Sequence, residues 1–114
     1  MKSGKYVPDR GDVVWLNFTP QAGHEQRGKR PALILSPKIY NEKTSLCICL
    51  PITFKVKGYP FEVALPENIE IQGVILSDQI KNLDFSVRDI SFICRVDDVV
   101  VVQVQRNVLA LVGG

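Results

Sequence analysis

The sequence predicts a mainly β protein, a small, strongly curved and mostly antiparallel sheet followed by a C-terminal α-helix. Three observations carry that prediction. Short apolar or alternating runs recur six times along the 114 residues, separated by proline, glycine or charged turns. Several runs alternate with the two-residue period of a strand. Only the last segment also carries a three-and-four apolar spacing, the period of a helix.

Gly11-Asp12 opens the first strand, Val13 to Phe18, with Val14, Leu16 and Phe18 on one face and Val13, Trp15 and Asn17 on the other. Pro20 and Gly23 break it. The stretch from Gly23 to Lys29 is polar and charged and reads as a loop. It leads into Arg30-Pro31 and then the second strand, Ala32 to Ser36, whose unbroken apolar run suits burial on both faces. Because Pro31 follows, Arg30 is steered away from helical geometry toward extended backbone. After Pro37, the polar segment from Lys38 to Ser45 reads either as one helical turn or as an irregular loop.

Leu46 to Leu50 is a third strand, and Pro51 is expected to interrupt its ladder. Phe61, Val63 and Leu65 alternate with Glu62 and Ala64 in a fourth strand with one buried face. Gly73 to Ile80 is a fifth, carrying Ser77, Asp78 and Gln79 at its far end. Ser91 to Val96 is a sixth, with Phe92, Cys94 and Val96 inward. The C-terminal segment is two-sided. Val99 to Val102 has strand propensity. Yet Val101, Val104, Val108 and Leu111 follow helical spacing, Asp97 or Asp98 suits an N-cap, and Gly113 suits a helix end. Helix is the reading adopted.

The length fits one domain, residues 1–114, which buries roughly two-thirds of its unfolded surface and needs no disulfide or metal staple. A net charge of +2 argues against a whole-surface nucleic-acid binder and leaves room for a local basic patch. Met1 to Arg10 has no apolar stretch of the signal-peptide kind, and no run approaches the roughly 20 apolar residues of a membrane span. Cytoplasm is the expected compartment. Cys47, Cys49 and Cys94 do not make an even disulfide framework. Cys47 and Cys49 would share one face of a strand as small hydrophobes.

Paired histidines, a nucleophile elbow, a phosphate-cradling glycine loop and a cluster of metal ligands are all missing from the sequence. An enzyme built on this chain is therefore expected to work without metal or cofactor. The groups left are Arg30, Glu25, Thr53 and His24. Arginine is always charged, and its fork of donors matches a phosphate and the charge that builds on a pentavalent phosphorane. The plainer role for Arg30 is a surface ion pair with Glu25 or Glu62. Thr53, after the proline, has its hydroxyl at the sheet margin, where it either donates to a phosphate oxygen or caps its own backbone. Glu25 is a candidate general base, or a solvated loop charge. Gln79 offers the donor and acceptor that suit a base edge. Lys55 and Lys57, with Arg27, Lys29 and Arg30, would form a basic groove, and Tyr59, Phe61 and Trp15 would add stacking surface for unpaired bases.

Gly11-Asp12, Gly23-His24-Glu25-Gln26 leading to Arg30-Pro31-Ala32, Pro51-Ile52-Thr53 and Gly73-Val74-Ile75-Leu76-Ser77-Asp78-Gln79 occur in that order. As a set they resemble the MazF/PemK toxin family. Tyr6-Val7-Pro8-Asp9, Tyr40-Asn41 and Lys57-Gly58-Tyr59-Pro60-Phe61-Glu62-Val63 point toward its MazF branch. The resemblance covers nearly the whole chain. It implies a small SH3-like barrel of the MazF/PemK/CcdB type, a homodimer, and a metal-independent endoribonuclease that cuts single-stranded RNA at short sequences. The products would be a 2′,3′-cyclic phosphate and a 5′-hydroxyl, and a MazE-like antitoxin would block the site with an extended segment.

By the same resemblance Arg30 and Thr53 are the functional arginine and threonine, Glu25 the loop glutamate, and Gln79 the glutamine of the fifth strand. Gln26, Lys29 and Lys55 join Gln79 in holding RNA. His24 departs from the serine of many relatives, and the valine-rich C-terminus from their more polar helix. Two other readings belong beside this one: a CcdB-like toxin that binds gyrase without cutting RNA, and a catalytically inactive peptide-binding module.

Overall fold

The computed structural model describes residues 5–19 and 28–113. Within them the chain runs β1 (Asp12–Asn17), β2 (Lys29–Ile34), α1 (Lys38–Thr44), β3 (Leu46–Thr53), β4 (Glu62–Ala64), β5 (Val74–Leu76), β6 (Lys81–Asp84), β7 (Ser91–Arg95) and α2 (Asp98–Val112). A single 3₁₀ turn, Phe85–Val87, joins β6 to β7. The strands pair antiparallel in the order β4-β5-β3-β2-β1-β7, with β6 beside the first half of β3. The mainly β class and the C-terminal helix are as expected. The sheet is not closed, for the path ends at β4 and β7.

Strand alternation sorts the apolar residues onto two faces. One carries Val13, Leu33, Leu50, Ile52 and Ile75, and α2 covers it with Val100, Val101 and Val104. The other carries Val14, Leu16, Ala32, Ile34, Cys47 and Cys49, closed by Phe85 and by Tyr6 and Val7 of the N-terminal segment. A fully buried valine or leucine stabilises by about 1.5–3 kcal/mol, so two such clusters account for the fold without cross-links. The three cysteines are free and buried. Its neighbour Cys47, together with burial, pushes the Cys49 thiol well above its ordinary value, so it stays protonated.

Three expectations need correcting. β3 does not stop at Pro51 but continues to Thr53. The Leu35 amide donates to the Ile48 carbonyl, so by antiparallel alternation Leu50 also turns its amide toward β2 and Pro51 turns the other way. That is the side on which the partner of β3 changes from β6, paired up to Cys49, to β5, paired from Ile52. The proline falls where no ladder bond is required.

The predicted fifth strand, Gly73 to Ile80, is shorter than expected: it ends at Leu76, residues 77–80 turn the chain, and a separate strand, β6, starts at Lys81 beyond it. Phe92 is not inward but 52% exposed. The register of β1 and β7 shifts between Val13 and Val14, setting Cys94 opposite Val13 but Phe92 opposite Val14. A bulge there re-aims the ring, which meets Tyr6 edge-on at 5.9 Å. In α2 the helical reading holds, with Asp97 at the N-cap position. Val101 and Val104 are buried and Val108 packs against the core, while Leu111 is exposed.

Candidate active site at the margin of β2 and β3

The two residues singled out for phosphate chemistry both lie just past the end of the β2–β3 ladder. Ile34, Leu33 and Ala32 of β2 lie opposite Cys49, Leu50 and Pro51 of β3. The ladder stops there, and Arg30 on β2 and Thr53 on β3 each lie two residues past its last pair. Both share the parity of Ala32, Ile34, Cys47 and Cys49, so both side chains leave the sheet on that face, just beyond its apolar cluster. The step between them falls on Pro31, which has no amide to give to Ile52. The regular ladder ends there, leaving Arg30 exposed and Thr53 half-buried.

Two adjoining hollows meet at this margin. One, about 250 Å³, is lined by Arg30, Lys81, Gln79, Pro51, Phe18, Thr19 and Gly28. The other, about 170 Å³, is lined by Thr53, Lys55, Lys57, Tyr59, Phe61, Glu62, Leu76 and Gln79. Gln79 belongs to both and forms the wall between them. Its amide donates to the Leu76 carbonyl at 3.1 Å, which turns the chain between β5 and β6.

Glycines set the approach of the walls. Gly73 has φ +124°, and a Cβ there would run into the Thr53 carbonyl, so only glycine lets β5 pack this close to the end of β3. A Cβ on Gly28 would collide with Thr19 Oγ1 and Asn17 Oδ1 at the root of the β1–β2 connection. The Thr53 hydroxyl oxygen accepts the Lys55 amide at 3.1 Å. This is the backbone cap offered as its plainer role, yet it uses only the oxygen and leaves the hydroxyl hydrogen to donate elsewhere.

Of the remaining sequence candidates, Lys55 lines the smaller hollow. Lys29 lines neither; its Nζ pairs with Asp89 Oδ2 at 3.0 Å. Trp15 packs against the cluster on the opposite face and offers no stacking surface here. Tyr59 does, lying on Phe61 with ring centroids 5.3 Å apart and planes 17° apart. His24, Glu25, Gln26 and Arg27 lie outside the described residues. Among the described residues, the ion pair suggested between Arg30 and Glu62 does not form, because the Glu62 carboxylate is taken by backbone amides of Lys57 and Gly58.

Lys81 went unnoticed in the sequence. The signal there is faint, since Leu83 is the one apolar residue between Lys81 and Asp84 and no alternation marks a strand. Charge on the described walls is mostly positive, from Arg30, Lys81, Lys55 and Lys57, with Glu62 the one carboxylate among them. Such a margin suits an anionic, phosphate-bearing chain with unpaired bases. No cluster of three or more His, Cys, Asp or Glu able to hold a metal stands among the described residues. No helix among them is long and apolar enough to cross a membrane.

Comparison with known proteins gives the class. The family profile of PemK-like, MazF-like toxins of type II toxin–antitoxin systems matches residues 9–112. The crystal structure of MazF (Form-I) from Deinococcus radiodurans superposes with a TM-score of 0.88 at 47% identity, over 96% of this chain and 100% of that one. A MazE–MazF complex (Form-II) from the same organism gives 0.85 at 41%, over 96% and 98%. The chain belongs to the PemK-like, MazF-like toxins of type II toxin–antitoxin systems.

Within that family the likeness leans to MazF. The endoribonuclease toxin MazF of Escherichia coli K12 is 51% identical over 84 residues, 74% of this chain and 75% of that protein. The endoribonuclease PemK of Escherichia coli is 34% identical, over 70% of this chain and 63% of that protein.

Proposed function

We propose that this chain, an endoribonuclease toxin of the MazF type, cuts single-stranded RNA without a metal by using the RNA's own 2′-hydroxyl as nucleophile. The observation that carries the reading is the placement of Arg30 and Thr53 just past the end of the β2–β3 ladder, on one face of the sheet, in two hollows that share the wall residue Gln79. Glu25 takes the proton of the 2′-hydroxyl. The 2′-oxygen bonds to the adjacent phosphorus, and the bond from phosphorus to the 5′-oxygen breaks. Arg30 neutralises the charge that builds on the non-bridging oxygens and, staying charged, orients a water that gives a proton to the leaving 5′-oxygen, the resulting hydroxide taking up the proton held by Glu25. Thr53 donates its hydroxyl to a phosphate oxygen. The products are a 2′,3′-cyclic phosphate and a 5′-hydroxyl end. With the nucleophile supplied by the substrate, the protein has only to position the strand and stabilise charge.

Gln79, Lys55 and Gln26 hold bases and backbone, and Lys29 joins them by exchanging Asp89 for a phosphate. Lys81 is added to this set. The protein acts as a homodimer of single-domain chains in the cytoplasm. A MazE-like antitoxin silences it by laying an extended, acidic segment along the same basic margin. The gyrase-binding alternative is not favoured, since the relatives named above are endoribonucleases. DNA, lacking the 2′-hydroxyl, is left uncut.

The test is primer-extension mapping of a long unstructured RNA incubated with the protein in excess EDTA, beside Arg30→Ala. Cuts at a recurring short sequence that vanish with the variant are the expected result. Intact RNA with the wild type would overturn the reading.

A further inference from the structure

Among the described residues the basic walls around Thr53 contain one carboxylate, and its position is unexpected for a site that takes an anion. Glu62, the first residue of β4, lines the same hollow as Thr53 and Gln79. Left free, it would repel a phosphate drawn in by Lys55 and Lys57, which line the same hollow. It is not free. Glu62 Oε1 accepts the Gly58 amide at 2.9 Å, and both oxygens accept the Lys57 amide at 3.2–3.3 Å. Its own amide donates to the Tyr59 carbonyl at 3.1 Å.

Apart from the Tyr59 ring on Phe61, packing does little to hold this loop. Residues 54–60 are all exposed, and Gly58, with φ +82°, has nothing within 4 Å of where a Cβ would stand. The root of the loop, by contrast, is anchored. The Phe61 carbonyl accepts the Ser77 amide at 3.3 Å and Asn107 Nδ2 of α2 at 3.4 Å. Tyr59 lies on the half-buried Phe61 ring with its own ring half-exposed. Among the described residues the Glu62 carboxylate is therefore what ties the middle of the loop, at Lys57 and Gly58, to the anchored root, while Thr53 caps it at Lys55 and Phe61 backs Tyr59.

We propose that Glu62 is a positioning residue: its carboxylate fixes loop 54–60 so that Tyr59, flat on Phe61, offers a ready platform for an unpaired nucleobase while Lys55 and Lys57 face the flanking phosphates. This deepens the ribonuclease reading and rests on it. The loop is ordered before RNA arrives, so less conformational freedom is lost on binding. The idea makes a prediction of sign. A solvated carboxylate beside a polyanion only repels it, and removing it would tighten binding. A carboxylate that orders the platform does the opposite, and removing it loosens binding despite the gain in positive charge.

The deciding measurement is the affinity of wild type, Glu62→Gln, Glu62→Ala and Gly58→Ala for a short single-stranded RNA with 2′-fluoro sugars. Its sequence is taken from the mapped RNA, and it cannot be cut. The maximal cutting rate of each protein on the unmodified RNA is read alongside. Glu62→Ala is expected to raise Kd about tenfold and Glu62→Gln, which keeps one acceptor, by less, with kcat held within about threefold. Gly58→Ala, which strains the same loop without touching the core, is expected to raise Kd as well; it also decides the matter if Glu62→Ala does not fold. An unchanged or lower Kd in Glu62→Ala, or in Gly58→Ala where it stands alone, overturns the proposal. So does a fall in kcat with Kd unchanged, which would put the carboxylate in the chemistry. A wild type that binds the RNA but cuts nothing would defeat the ribonuclease reading while the Kd series still judged Glu62. A wild type that binds no RNA would defeat both.

Discussion

Two polar clusters sit on this sheet, and they are built on opposite terms. At one end Asn41 is fully buried, donating to the Pro8 carbonyl at 2.7 Å and the Ser36 carbonyl at 3.1 Å while accepting the Ser36 hydroxyl at 2.6 Å. Beside it Asp12, also buried, accepts Tyr6 Oη, the Asp9 amide at 3.0 Å and Arg95 Nη1 at 2.8 Å. Almost every donor there is answered from within the fold. At the margin of β2 and β3, Arg30 has no carboxylate partner among the described residues, and Thr53 keeps its hydroxyl hydrogen. An unanswered buried group costs stability, whereas an unanswered group at a rim is available to a ligand. The first cluster holds the N-terminal segment onto the sheet. The second leaves Arg30 and the Thr53 hydroxyl hydrogen unanswered by any carboxylate or acceptor among the described residues.

The contrast is broken most severely by substitution at each centre. Arg30→Ala should lower kcat by about 10²–10³-fold, the size of losing one charge-stabilising donor, and should leave stability within about 0.5 kcal/mol. Single-turnover cleavage and urea unfolding measure the two. Asn41→Ala should do the reverse, costing about 3 kcal/mol because two carbonyls and the Ser36 hydroxyl lose their partner, with activity per folded molecule retained. A smaller urea midpoint shift than Arg30→Ala would invert the comparison.

Gly73→Ala crosses the divide. Its Cβ would press on the Thr53 carbonyl, so it should cost about 1–3 kcal/mol and lower cutting by fully folded protein as well. Loss of stability alone would mean that Thr53 does not need its present place.

The smallest effect depends on pH. Burial first, and then the hydrogen bond to Asp12, raise the Tyr6 phenol above its ordinary value of 10.0. The folded chain thus holds that proton more tightly than the unfolded one. The stabilisation is complete below about pH 10 and is lost as pH rises beyond it. Tyr6→Phe should cost about 1 kcal/mol at neutral pH, and the difference from wild type should shrink in melts run above about pH 10. A difference that grew with pH would contradict the sign.

The chain's linear order determined what depends on local pattern. Val14, Leu16 and Phe18 sort to one face and Val13 and Trp15 to the other, because successive side chains of any strand alternate. The valine spacing from Val101 to Val108 resolves as helix because it repeats with the helical period against one core face. Arg30, Thr53 and Gln79 were legible as candidates from residue type and ordered motif alone. Pairing was not legible. That Pro51 lies inside β3, that Phe92 turns outward at a bulge, and that Lys81 begins a separate strand are all set by which strand lies alongside. The same holds for the site. Arg30 and Thr53, far apart in the chain, are brought to the same end of the β2–β3 ladder, Lys29 is drawn to Asp89, and Glu62 closes on Lys57 and Gly58 across a turn. Periodicity is a property of each segment by itself, whereas register is a balance among segments, and only the folded sheet decides it.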